Sequence, residues 1–146
     1  MLCNKAFGRL LASLVTVALL TAGLGACGGL HTSDTSLTVQ QNGRKLADLS
    51  LSQLQQLPQI DVATPQSRGA KVQRGPTVRA ILTAAGAARV ESVRVEGRDQ
   101  PQTVTAGELT EQLILCLTKR NTLKLAGAQL GTERWVRDVT TLVVNP

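Results

Sequence analysis

The sequence predicts an α+β domain, a mixed β-sheet with short helices, preceded by a segment that does not belong to it. Two observations carry this. Runs of period-two alternation bounded by turn residues recur from residue 37 to the C-terminus, while the helix-like stretches between them are short. Their order, β-β-α-β-α-β-β-α-β-β-β, is irregular and suits sheets with segregated helices better than a doubly wound parallel sheet.

Lys5 and Arg9 precede an uncharged, mostly apolar run, LLASLVTVALLTAGLG (10–25). A membrane-spanning helix needs about 20 apolar residues. This run is shorter and interrupted by Gly, and residues 1–26 read as a secretory signal peptide. The run ends in LGAC (Leu24–Cys27), which resembles the lipobox of bacterial lipoproteins. That resemblance implies cleavage before Cys27, acylation of its thiol and new amino group, and a membrane anchor worth about 0.8 kcal/mol per buried CH₂. Gly28 rather than Asp follows, which implies a periplasm-facing outer-membrane location in a two-membrane bacterium and a lipid-anchored envelope protein in any case. Residues 27–36, rich in Gly, Ser and Thr and containing His31, read as the tether, and residues 37–146 as the domain.

Within the domain, Asn42-Gly43 lies between two β-compatible runs and predicts a hairpin, because both central positions of a type I′ turn need positive φ. Ser50 and Gln53 form a capping-box pattern; Leu51, Leu54 and Leu57 share one face, and Pro58 stops the helix. QIDVAT is a strand that leads into VATPQSRGAKVQRGPT (62–77), a loop-like stretch with three bases and no acid. Thr77 caps a helix bearing Val78, Ile81, Leu82 and Ala85 on one side, with Gly86 just past its end. VESVRVEG alternates, with Val93 and Val95 inward, then GRDQ turns and PQTVT pairs back. Thr105 and Glu108 repeat the capping-box pattern and predict a third short helix containing Leu109, Gln112 and Leu113. LILCL is a buried strand or the end of that helix, TLKLAG is a strand, and ERWVRDVTTLVV reads as one long or bulged strand.

Composition excludes several functions. The chain carries 16 basic and 10 acidic residues, and loss of Lys5 and Arg9 with the leader leaves it mildly basic. Trp135 is the single aromatic after Cys27, whereas single-strand nucleic-acid binders stack bases on several, so nucleic acid is not expected as a partner. No His lies in the domain, which removes Ser-His-Asp and Cys-His nucleophiles, and one Cys with scattered acids does not make a zinc site. Cys116, inside LILCLT, reads as a core residue rather than a redox group. Trp135, between Arg134 and Arg137, reads as a packing anchor before a cation–π platform.

Taken in order, LTVQQNGRKLADLSLSQLQQLPQIDVAT, RGPTVRAILTAAGA, VESVRVEGRDQPQTVTAGEL, NTLKLAG and GTERWVRDVTTLVV resemble the oxidoreductase molybdopterin-binding domain, the fold named for sulfite oxidase, in a short single-domain form. The resemblance implies a sulfite-oxidase-like mixed sheet and molybdopterin as cofactor. In catalytic members a Cys follows the strand after the first helix and its thiolate ligates molybdenum. Here that strand is QIDVAT and PQSRGAKVQRGPT follows it, without the Cys and without the usual Asn and aromatic neighbours. No metal ligand and no catalytic residue can therefore be assigned, and the residues themselves call for no cofactor. The acid-free stretch retains Arg68, Lys71 and Arg74, the candidate residues for binding a pterin or another small anion. The expected function is a membrane-tethered, non-catalytic binding or interaction module with a protein partner or small anionic ligand in the envelope. Two alternatives stand beside it: a molybdopterin-dependent oxidoreductase lacking the thiolate ligand, and a soluble-ligand-binding β-grasp module, which GPTVRAILTAAGA and VRVEG resemble locally.

Overall fold

The computed structural model describes residues 35–146. Residues 1–26 (expected to be a signal peptide), Cys27 and His31 lie outside the described residues. The elements are β1 (Ser36–Gln41), β2 (Arg44–Ser50), α1 (Leu51–Gln56), β3 (Gln59–Ala63), β4 (Val72–Pro76), α2 (Val78–Ala84), β5 (Ser92–Glu96), β6 (Gln102–Thr105), β7 (Leu113–Leu117), β8 (Leu123–Gly127) and β9 (Thr141–Val144), with a 3-10 turn at Thr132–Arg134. Among the described residues no helix is long and apolar enough to cross a membrane.

Local chemistry builds the first half as expected. Asn42 and Gly43 have φ of 53° and 71°, so the β1–β2 hairpin closes on the predicted turn. The Ser50 hydroxyl accepts from the Gln53 amide at 3.3 Å, and the Gln53 side chain accepts from the Ser50 amide at 2.8 Å, a complete capping box on α1. Thr77 caps α2 through the Ala80 amide. Gly86, at φ 79°, ends that helix with Gly86 and Ala87 amides donating back to Thr83 and Leu82 carbonyls, the double bond pattern of a left-handed C-terminal cap.

The larger sheet has the order β2-β1-β9-β5-β6. β1 and β9 run parallel at its centre and the other pairs are antiparallel. The first hairpin thus has the last strand returning parallel beside it, and the β5–β6 hairpin completes this layer. The hairpins β3–β4 and β7–β8 supply the rest. Along β7–β8, Leu113, Leu115, Leu123 and Leu125 enter the main core with Val39, Ile81, Val93, Val95 and Leu142. Their alternate neighbours Ile114, Cys116 and Ala126 form a second cluster with Val62 of β3. β7 is thus apolar on both faces, which explains the unbroken LILCL run. Gly75 lets β4 cross it closely: a Cβ there would lie 2.1 Å from the Leu115 carbonyl oxygen.

The structure corrects three expectations. The stretch 62–77 is only half loop, because its second part is β4, paired residue for residue with β3; a Gln, an Arg, a Gly and a Pro hid the strand pattern. The third helix is absent. Glu108 does reach back to the Thr105 amide at 2.9 Å, yet the turn ends after one α-type bond and gives way to β7. Burying Leu113 and Ile114 on opposite faces outweighs propagation of a short helix. The C-terminal stretch is not one strand either. Val136 and Val139 bond to Leu125 and Leu123 of β8, Asp138 turns at φ 49°, and only then does β9 enter the five-stranded sheet.

Candidate functional site

The β3–β4 connection, residues 64–71, is closed on itself. Thr64, fully buried, donates its amide to the Lys71 carbonyl at 2.7 Å, and Ser67 donates to Thr64 at 2.9 Å across a turn with Pro65 in second position. The Lys71 ammonium donates to the carbonyls of Ser67 (2.6 Å) and Pro65 (3.0 Å). Two side-chain amides pin the loop to the second cluster: Gln66 donates to Gly127 and Ala128 carbonyls, and Gln73 donates to Ala70.

Beside this loop lies an open depression of about 690 Å³, bounded by Ser67–Gly69, Lys124 of β8, and the Thr132–Arg137 segment with Asp99. Trp135 anchors its floor. The indole N–H donates to the Leu130 carbonyl at 3.0 Å, and the ring packs against both apolar clusters. The Lys124 ammonium stands 4.9 Å from the ring centroid, a cation–π contact. Arg137 grips both oxygens of Asp99 at 2.7–3.3 Å, with its backbone amide on the same carboxylate at 2.8 Å. Those hydrogen bonds push the Asp99 carboxyl down to about 2. The Glu133 carboxylate is folded back over Gly131.

Of the three bases singled out by sequence, the structure brings only Arg68 to this depression. Lys71 is committed to the carbonyls of its own loop. Arg74 sits exposed on β4, opposite and 3.6 Å from Asp61 of β3. The residues that join Arg68 are Lys124, Trp135 and Arg137, from segments more than fifty residues further along. Trp135 is both packing anchor and cation–π partner, but its cation is Lys124. Its sequence neighbours are engaged elsewhere, Arg134 with Glu108 and Arg137 with Asp99.

Cys116 lies beneath the loop, with its thiol 3.5 Å from Gln73 Oε1 and 3.4 Å from the Lys124 carbonyl. Burial pushes its pKa up, so it stays a thiol and a core residue. Among the described residues no three His, Cys, Asp or Glu side chains come together as metal ligands. The depression is lined by two guanidinium groups, an ammonium, an indole, hydroxyls and the carboxylates of Asp99 and Glu133, and it holds no thiolate of the kind that the sequence resemblance implies for the metal end of a molybdopterin cofactor. Its bases suit anionic groups.

No family model and no curated protein matches the sequence. Among solved structures, the chain is similar to the sulfane dehydrogenase SoxCD from Paracoccus pantotrophus, with a TM-score of 0.59 and 12% identity over 75% of this chain. The match spans 37% of that chain. At this identity the likeness concerns the fold, which is α+β and sulfite-oxidase-like, as the sequence resemblance implies.

Proposed function

We propose that residues 37–146 act as a non-catalytic binding or interaction module, held at the bacterial cell envelope by a lipidated Cys27, with the depression around Trp135 as its binding surface. The observation that carries this reading is the β3–β4 loop. By the family resemblance of the sequence it takes the place of the loop expected to carry a metal-ligating Cys, and it offers instead Arg68 beside a closed set of internal hydrogen bonds. The one domain thiol, Cys116, is packed below it and bonded to Gln73 and the Lys124 carbonyl. The surface around Trp135 carries three bases against the Asp99 and Glu133 carboxylates, a net positive and aromatic chemistry that binds anionic groups without transforming them.

The likeness in fold to a sulfane dehydrogenase favours a second reading, a molybdopterin-dependent oxidoreductase that holds its cofactor without a protein thiolate. Metal analysis of the full chain, produced in a host that makes the molybdenum cofactor, separates the two. A fluorescence assay for released pterin runs on the same sample. The expected result is neither molybdenum nor pterin. Pterin without metal would keep the non-catalytic reading and make pterin the ligand; near-stoichiometric molybdenum with pterin would overturn it.

A further inference from the structure

We propose that the depression is a docking surface for an acidic, extended segment of a partner protein. The inference rests on the reading of the domain as a binding module and names its partner by chemistry.

Charge comes first. Arg68 belongs to a stretch, residues 62–90, with five bases and no acid. Around the depression, Arg137 has its charge answered by Asp99, whereas Arg68 and Lys124 form no ion pair among the described residues. Glu133 also lines the depression, with its carboxylate folded over Gly131, so the surface carries three bases and two acids, and Arg68 and Lys124 are the bases beside Trp135 that no ion pair takes up among the described residues.

Magnitude then decides against a small ion. The depression is open, and no buried polar side-chain atom among the described residues lacks a partner, so nothing is aimed at a desolvated anion. An exposed ion pair strengthens binding by at most about fivefold. Two such pairs yield roughly 25-fold and three roughly 125-fold, short of the thousandfold that separates molar from millimolar affinity. The shortfall has to come from apolar contact and from further charges spaced along the ligand. An acidic segment has both: its carboxylates meet Lys124 and Arg68, and its backbone and side-chain methylenes cover the indole. A flat aromatic anion fits less well, because the indole face already carries the Lys124 ammonium, 4.9 Å from the centroid.

Trp135 is the sole Trp of the chain, so its emission reports on this surface alone. The test titrates the full chain, in detergent, with a blocked oligoglutamate peptide. The expected result is a saturable change in Trp135 emission. It should weaken about tenfold as ionic strength rises from about 0.01 to about 0.15 M, where the Debye length falls from roughly 30 to roughly 8 Å. Arg68→Gln and Lys124→Gln should each weaken binding several-fold, while Arg44→Gln, on the distant edge strand β2, should leave it unchanged; far-UV circular dichroism checks that each variant is folded. Equal saturation by inorganic phosphate or by a free pterin at the same or lower concentration would overturn the proposal. So would a response only to vesicles of anionic lipid. A flat titration of a chain free of molybdenum overturns this inference alone, whereas bound molybdenum overturns the reading beneath it whatever the peptide does.

Discussion

Glu108 shows how one side chain can carry a sequence signal and do something else with it. Its Oε2 accepts from the Thr105 amide, the half of the capping box visible in the sequence, while its Oε1 takes the Arg134 guanidinium at 2.5 Å. Arg134 also donates to the Thr103 carbonyl, covering the outer edge of β6. The Arg134 hydrogen bond, followed by that from Thr105, holds the Glu108 carboxyl at about 2 against an ordinary 4.5. Because the folded-state pKa is depressed, the unfolded chain binds the proton more tightly. The stabilisation is therefore full above about 4.5 and is lost as pH falls towards about 2. Glu108→Gln should accordingly lower the melting temperature at neutral pH, with the gap to the unsubstituted protein closing across that acid window in thermal unfolding followed by circular dichroism. A gap that stays constant with pH would mean that the carboxylate charge contributes nothing.

At the scale of elements, the domain depends on how closely β4 crosses β7. Gly75 has no Cβ to meet the Leu115 carbonyl oxygen at 2.1 Å or the Cys116 Cα at 3.0 Å, and both neighbours are backbone that cannot rotate away. Gly75→Ala should cost about 1–3 kcal/mol by forcing the hairpins apart, read as a lower urea midpoint. Gly107→Ala is the matching control, since the nearest atom to its Cβ is the Thr105 hydroxyl at 3.9 Å and the cost should be small. The 135–139 segment makes a comparable join. It bonds to β8 through Val136 and Val139 and then hands the chain to β9 at the centre of the larger sheet. That single crossing brings Trp135 and Arg137 to the loop that holds Arg68.

For the whole molecule, the fold is shared with a sulfane dehydrogenase and the chemistry need not be. The buried parts are the main core, built from aliphatic residues, and the second cluster of Val62, Ile114, Cys116 and Ala126. The candidate surface lies at their margin: Trp135 packs against both clusters, whereas Arg68 on its loop can change type without disturbing the packing. The proposed anchor belongs to this scale too. Cys27→Ala should move the protein from the membrane fraction to the soluble fraction of its host; retention in the membrane would remove the lipid tether from the proposed function.

The sequence by itself determined the fold class, the first hairpin, both helices with their caps, the alternating β5 and the core role of Cys116. Each of these is written within a few consecutive residues, as a cap, a turn pair or a period of two, and local chemistry is enough to read it. Only the tertiary structure decided the rest. β4 was hidden because Gln73, Arg74, Gly75 and Pro76 form a strand through pairing with β3 and contact with β7, not through their own propensity. The third helix gave way because two-sided burial of β7 outweighs a capping signal. The three bases that looked like one site in sequence were separated by a lysine that closes its own loop and an arginine that faces a strand partner. The surface that Arg68 does join is made with Lys124 and Trp135, more than fifty residues away, and no periodicity along a chain records which distant side chains its folding will bring together.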